Sequence, residues 1–312
     1  MRILILGAGG TGGYFGGRLA QAGADVTFLV RPGRAAQLQA DGLKIRSPLG
    51  DADLAVRHAV AGALPALVAE RPFDLVILSC KAYDLEASIE AIAPAVGADT
   101  TVLPILNGLR HYDALDARFG RERVLGGLCF ISATKGEGGE ILHLGKPASI
   151  TFGERDGGAD SARVRAFAAA CAQAGIDHTA SPRIAQEQWI KYTFLCALAA
   201  ATCLARSPIG RIVATEDGRA FINGLYNECL IAADAAGEPV PLAAREKALL
   251  TLLQPGSDLK ASMLRDLEAG QPVETEHIVG DMLARVRETG RNAPWLMAAN
   301  VHLQAYQLAR GG

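Results

Sequence analysis

The chain has 312 residues, of which half are hydrophobic and 21% charged, so it can bury a sizeable core and disorder is not expected. At this length two domains are expected rather than one. Basic and acidic residues number 31 and 33, a formal net charge of -2, which argues against a general nucleic-acid binder.

The apolar run Arg2–Leu6 is a strand candidate that stops at Gly7, too short for a secretory signal. Helical periodicity follows over 11–22, then a strand over 25–30 and a polar helix over 34–41. After an irregular stretch come strands over 74–79 and 101–105, with a helix near 85–95 between them. Such continuous apolar runs separated by helices suit strands buried on both faces of a parallel sheet. Over 125–152, shorter strands and the turn Gly136-Glu137-Gly138-Gly139 predict one or two hairpins extending that sheet. Ser181-Pro182 has the N-cap hydroxyl and first-turn proline of a helix start. Beyond it the patterns are almost all helical, with breaks at 207–210, 237–239, 255–257 and 270–272. The expected fold is α/β over 1–181 followed by an all-α C-terminal domain over 182–312. The longest later apolar run, 194–205, falls short of the roughly 18 residues that span a bilayer, so no membrane partner is expected. The six cysteines form no C-x-x-C pair and sit in apolar stretches, as buried thiols of a reducing cytoplasm do.

Gly7-Ala8-Gly9-Gly10-Thr11-Gly12 fits G-x-G-x-x-G. With 35 glycines chance matches occur, but this one follows the first predicted strand and opens a helix. One glycine turns the chain, the next admits a pyrophosphate to the backbone, and the third lets helix and strand pack closely. The helix N-terminus adds unpaired N–H groups and positive dipole. The first domain is therefore expected to be a Rossmann-type dinucleotide-binding domain, with residues 7–12 holding the phosphates. At the end of the second strand an NAD-preferring site carries Asp or Glu for the ribose 2′-OH, whereas this chain reads Leu29-Val30-Arg31-Pro32-Gly33-Arg34. A guanidinium suits a 2′-phosphate, so the expected cofactor is NADP(H), with Arg31 the first choice and Arg34 assisting.

Two further segments come after predicted strands, where ligands meet open α/β sheets: Ser79-Cys80-Lys81-Ala82 and Leu106-Asn107-Gly108. Lys81 and Asn107 can donate to cofactor or substrate; the alternatives are a loop lysine and a plain Asn-Gly turn. On the helix after Ser181, Trp189, Lys191 and Tyr192 lead into the apolar run. A lysine there must snorkel, face a cleft or pair, the pairing alternative being an interdomain salt bridge. Leu195 lies one turn further on the same face. Glu274 and His277 have the spacing of one arm of a di-iron site, but no second arm or paired Cys/His spacing accompanies them, so no metal is expected.

Together the glycine turn, Cys80-Lys81-Ala82, Leu106-Asn107-Gly108, Trp189-Ile190-Lys191 and Ser262-Met263-Leu264-Arg265-Asp266 leading to Glu274 and Gly280 resemble the ketopantoate reductase (2-dehydropantoate 2-reductase) family. The resemblance runs along essentially the whole chain. It implies a Rossmann domain, a helical C-terminal domain and an active site in the cleft between them. It also implies that Lys191 is the general acid that protonates the carbonyl oxygen as NADPH delivers hydride. Glu274 would hold that ammonium charged and contact substrate or nicotinamide ribose. Asn107 would orient Lys191 and touch the cofactor, Ser262 would bind the substrate carboxylate, and Lys81 and Ala133 would line the cofactor cleft.

One position departs from the family. Its pantothenate-pathway members usually carry Asn four residues after the lysine, bonded to substrate, where this chain has Leu195. The swap removes a donor and an acceptor and makes that side of the site apolar, a change that can redirect specificity. The implied reaction is NADPH-dependent reduction of a 2-oxo acid to a 2-hydroxy acid, with 2-dehydropantoate to pantoate as the first choice in pantothenate biosynthesis. One alternative is a D-2-hydroxyacid dehydrogenase acting on another branched or aromatic 2-oxo acid; a second, of another class, is a non-catalytic NADPH-binding sensor. The expected partner is a small 2-oxo acid; the sequence leaves a homodimer open.

Overall fold

The ends of four parallel strands line up along one edge of the first sheet, and this alignment positions the loops after them. The structure, a computed structural model, describes residues 1–311. Among them ten strands occur: β1 (Arg2–Leu6), β2 (Asp25–Leu29), β3 (Leu43–Arg46), β4 (Ala52–Leu54) and β5 (Arg57–Ala59), then β6 (Leu75–Leu78), β7 (Thr101–Pro104), β8 (Gly126–Lys135), β9 (Ile141–Gly153) and β10 (Asp177–Ala180). The first sheet has the order β5-β2-β1-β6-β7 and is parallel throughout. Ile3, Leu4, Ile5, Val76, Ile77 and Leu78 are fully buried, as strands covered on both faces require. Leu6 pairs with Leu29 on one side and Leu78 on the other, and Leu78 pairs with Pro104. The chain leaves β1 between β2 and β6, the point of an open α/β sheet where ligands bind.

The hairpin expected over 125–152 is present, but it belongs to a second sheet rather than extending the first. β8 and β9 pair antiparallel, while β9 pairs parallel with β3 and with β10, and β3 antiparallel with β4. Just before β8, Val124 makes an isolated parallel bridge with Val102 of the first sheet. The cause is length: β9 has 13 residues, so Ile141 and Leu142 pair with β3 while Ser149–Phe152 pair with β10. The stretch that reads as irregular in sequence thus holds β3, β4 and β5, each three or four residues long and interrupted by charges such as Lys44, Arg46 and Asp53. Strands so short leave no period to read.

The first helix, α1 (Gly10–Gln21), lies between the two sheets because one face of it lacks side chains. A Cβ at Gly16 would stand 2.7 Å from the Phe28 ring of β2, one at Gly17 2.6 Å from Ile45 of β3, and one at Gly13 2.8 Å from Ile141 of β9. α2 (Pro32–Asp41) comes directly after β2.

Contacts divide the chain into two units: Met1–Leu106 with His111–Ile184, and Asn107–Arg110 with the residues from Ala185 onward. Ser181 forms a turn rather than a helix cap: its hydroxyl accepts from the Arg183 N–H at 3.1 Å, and the helix begins at Ile184. The second unit is helical, with helices ending at Ala205, Ala235, Leu252 and Glu268, before the predicted breaks. Helix Ile184–Ala205 is long and apolar enough to cross a bilayer, yet 67% of that window is buried inside the protein, as in a core helix. Cys196, Ala197, Ala200, Ala201 and Cys203 on it are fully buried, the small side chains allowing close helix contact. All six cysteines are free thiols, and burial pushes Cys171 and Cys203 up to about 12.

Helix Pro294–Gly311 is started by a carboxylate from another helix. Glu228, buried in Gly218–Ala235, accepts from the Trp295 and Leu296 N–H groups at 3.1 and 2.8 Å. Burial pushes its carboxyl up from the usual range, and the two N–H bonds oppose that. Glu228→Ala leaves both donors without their acceptor and is expected to lower stability by about 1–3 kcal/mol in urea unfolding; an unchanged midpoint would remove the capping role.

Candidate active site

In the first unit the glycine turn is built by close backbone approach. Gly7 has φ +86° and donates its N–H to the Leu29 carbonyl at 2.8 Å. Gly9 caps α1 with no side-chain hydrogen bond and has open space where a Cβ would point. A Cβ on Gly10 would instead lie 2.5 Å from the Ala133 carbonyl oxygen, and one on Gly12 2.8 Å from the Gly7 carbonyl oxygen. Ala133 reaches this place just past a register shift in the β8–β9 ladder between Ile131 and Ala133. Ala8 is buried, Thr11 half-buried and Gly9 exposed, and the Ser79 hydroxyl donates to the Leu6 carbonyl at 3.0 Å. The turn thus offers helix N-terminal N–H groups beside a backbone that a diphosphate can approach.

The two arginines after β2 differ. Arg31 has an exposed side chain and pairs with Asp84 at 2.8 Å. Arg34 is half-buried; it donates to the Ala8 carbonyl at 3.0 Å and to Gln37 at 2.5 Å, and its buried Nε has no hydrogen-bond partner. Burial pushes the Arg34 guanidinium below its ordinary value. Gln37 in turn donates to the Gly138 carbonyl at 2.9 Å, tying α2 to the tip of the β8–β9 hairpin. Lys81 is half-buried past the end of β6, and its carbonyl accepts from the Asp84 N–H at 2.9 Å.

In the second unit the Lys191 ammonium donates to the Asn107 side-chain oxygen at 2.9 Å, with Lys191 only 9% exposed. Asn107 comes from the short segment that succeeds β7 in sequence but packs with the helices. Gly108 beside it has φ +77°. Leu195 is half-buried one turn beyond Lys191 and packs on the helical core. Ser262 opens helix Ser262–Glu268 and is half-buried, while Glu274 is buried and its carbonyl accepts from the Ile278 N–H at 3.1 Å. The structure joins Asn107 directly to Lys191 and places Glu274, Ser262 and Leu195 in the same unit.

The surroundings of Glu274 escape sequence reading. Glu276–Gly280 forms a π-turn before helix Asp281–Glu288, in which the Asp281 N–H reaches the Ile278 carbonyl. The Tyr192 hydroxyl meets the same carbonyl at 2.8 Å and the Asp281 carboxylate at 2.9 Å, and Asp281 also accepts from Arg285 at 2.8 Å. Burial first, then the Asp281 charge, pushes the Tyr192 hydroxyl well up. The four-residue spacing of Asp281 and Arg285 is legible in the sequence; the π-turn leaves no periodic trace. His277 is the other omission, since its spacing from Glu274 speaks only to metal binding. It is buried against the Asn107–Gly108 turn. Burial pushes its imidazole down, which Glu274, Asp281 and a hydrogen bond to the Asn107 backbone oppose and Arg110 reinforces.

The chain matches the family described as Ketopantoate reductase PanE/ApbA over residues 3–157 and that family's C-terminal domain over residues 183–307. It belongs to the ketopantoate reductase family. The chain is 38% identical to the uncharacterized oxidoreductase YkpB of Bacillus subtilis, over 98% of this chain and 99% of that one. It is 29% identical to the 2-dehydropantoate 2-reductase of Mesorhizobium japonicum over 93% and 92%. A crystal structure of 2-dehydropantoate 2-reductase from Methylococcus capsulatus superposes with a TM-score of 0.88 at 30% identity, covering 100% and 98% of the two chains. The ternary structure of D-mandelate dehydrogenase with NADH and anilino(oxo)acetate shares the fold, with a TM-score of 0.85 at 19% identity over all of both chains. The ketopantoate reductase relationship and the Rossmann-then-helical architecture are those the sequence motifs imply. The chain is accordingly an oxidoreductase of this family, whose dehydrogenases use a nicotinamide cofactor to reduce 2-oxo acids.

His277 gives a pH signature. Its folded value lies below the unfolded one, about 6.5, so protons bind the unfolded state more tightly and stability falls as pH drops below that value. In urea titrations between pH 8 and about 5, His277→Gln is expected to flatten this acid limb; an unaltered slope would show that His277 does not contribute to it.

Proposed function

We propose that this ketopantoate reductase family member reduces a 2-oxo acid to a 2-hydroxy acid with NADPH, with 2-dehydropantoate to pantoate as the leading reaction. The observation that carries the reading is the Lys191–Asn107 hydrogen bond: a nearly buried ammonium held at 2.9 Å by a neutral amide. An amide orients the ammonium without taking its proton, which suits an acid that must give the proton away.

The residues of the first unit fit a dinucleotide. Gly9 leaves open space, the α1 N-terminus lacks a side-chain cap, and the Arg34 Nε is buried without a partner. Residues 7–12 and the Ala133 backbone would hold the diphosphate, Arg31 and Arg34 the 2′-phosphate, and Lys81 the cofactor's inner part. The nicotinamide supplies hydride to the carbonyl carbon. Lys191 polarises the carbonyl and passes the Nζ proton to its oxygen as the alkoxide forms, then regains a proton from solvent. Glu274 keeps the ammonium charged, and the Ser262 hydroxyl binds the substrate carboxylate.

Leu195 favours a second reading of the substrate. A half-buried leucine one turn from the acid offers an apolar wall where an amide would bond a hydroxyl. A branched or aromatic 2-oxo acid, reduced as by a D-2-hydroxyacid dehydrogenase, fits that wall.

A steady-state screen of NADPH oxidation with 2-dehydropantoate and with branched and aromatic 2-oxo acids decides between them. Turnover is expected with at least one, and the ranking assigns the substrate. No turnover on any, with NADPH still bound, would make the chain a cofactor-binding sensor. Lys191→Ala is expected to lower kcat by at least about 100-fold while NADPH affinity holds; equal activity would remove lysine from the mechanism. Arg31→Asp is expected to weaken NADPH relative to NADH by about tenfold or more in fluorescence titrations, and Arg34→Ala to weaken it in the same sense; an unchanged ratio in both would contradict the 2′-phosphate role.

A further inference from the structure

Glu274 and His277 stand three residues apart, and the proposed reaction uses only the first. His277 is 7% exposed, and the Asn107–Gly108 turn is pressed onto it. A Cβ at Gly108 would lie 2.8 Å from the His277 carbonyl oxygen and 3.0 Å from its ring Cδ2, so a side chain there would push turn and histidine apart. The ring also hydrogen-bonds to the Asn107 backbone, a bond that favours the protonated ring and so marks the imidazole as donor and the carbonyl as acceptor. The side chain of that same asparagine holds Lys191 at 2.9 Å. Burial keeps the ring neutral, with one N–H to give. The π-turn matters here. His277 lies inside it against the Asn107–Gly108 turn, while Asp281, which follows it, meets Tyr192 and Arg285.

We infer that His277 is a positioning residue for the lysine acid: from the π-turn it fixes the Asn107–Gly108 turn and thereby aims the Asn107 amide at Lys191. It touches neither the transferred proton nor the hydride. Its effect passes through Asn107, so it changes the geometry of proton donation and leaves the dinucleotide turn alone. The inference rests on Lys191 as the proton donor.

The test compares His277→Phe, which keeps the ring shape and removes the donor, with His277→Gln, which keeps an N–H. Measurements are kcat and KM on a 2-oxo acid that the wild type reduces, NADPH Kd by fluorescence, and Tm. His277→Phe is expected to lose at least about tenfold in kcat with NADPH Kd unchanged within about twofold, and His277→Gln to recover most of the loss. Gly108→Ala disturbs the same turn from its other side and is expected to give the same split, which covers the case of a poorly folding Phe variant. Wild-type kcat in the Phe variant overturns the inference. So does a Gln variant no better than Phe, or NADPH affinity falling in step with kcat. If wild type itself turns over no 2-oxo acid, the proposed function fails along with the inference; if wild type is active and the variants are unaffected, only the His277 role fails.

Discussion

A charged lysine on a core helix constrains the rest of the second unit. Lys191 lies on a largely apolar helix, and an ammonium so little exposed needs a hydrogen-bonding partner. That partner comes from a four-residue segment that succeeds a strand of the α/β unit in sequence yet packs with the helices. Bringing Asn107 there requires the left-handed turn at Gly108, and seating that turn leaves no room for a side chain above His277. That histidine belongs to the π-turn over Glu276–Gly280. In the π-turn the Ile278 carbonyl accepts from both the Asp281 N–H and the Tyr192 hydroxyl.

The first unit is governed by small residues in the same way. α1 can lie between two sheets only because Gly13, Gly16 and Gly17 present no side chains to Ile141, Phe28 and Ile45. The same helix begins at the glycine turn, so the packing that seats its body also fixes its N-terminus. Arg34 adds a polar tie from α2 to the Ala8 carbonyl, and Gln37 carries the tie on to the hairpin tip at Gly138. The glycine turn thus rests on β2, α2 and the β8–β9 hairpin, which lie apart in sequence. A Cβ at Gly10 would strike one of them, the Ala133 backbone.

Much of this is legible in the sequence, for reasons that can be named. β1, β2, β6 and β7 are continuous apolar runs because both their faces are covered, and glycine or proline marks most helix ends in the second unit. The glycine turn can be read because its meaning depends on local order, strand then glycines then helix. Arg31 and Arg34 can be read from their place after β2, but not their different fates, one exposed and paired with Asp84, the other folded back onto Ala8. The hairpin is legible and its sheet is not. Pairing of β9 with β3 and β10 joins segments about a hundred and about thirty residues away, and short strands carry no signal of their partners.

The sequence by itself determined the family, the order of an α/β part and a helical part, and the residue types that can bind a dinucleotide and donate a proton. These come from local patterns: hydrophobic period, turn chemistry and motif order. The resemblance already paired Asn107 with Lys191; only the tertiary structure decided that Asn107 packs with the helices at 2.9 Å from that lysine and that His277 underlies its turn. Those facts depend on contacts between residues 84 and 169 positions apart. No periodicity reaches that far, because such contacts are set by how whole elements pack and not by neighbours along the chain.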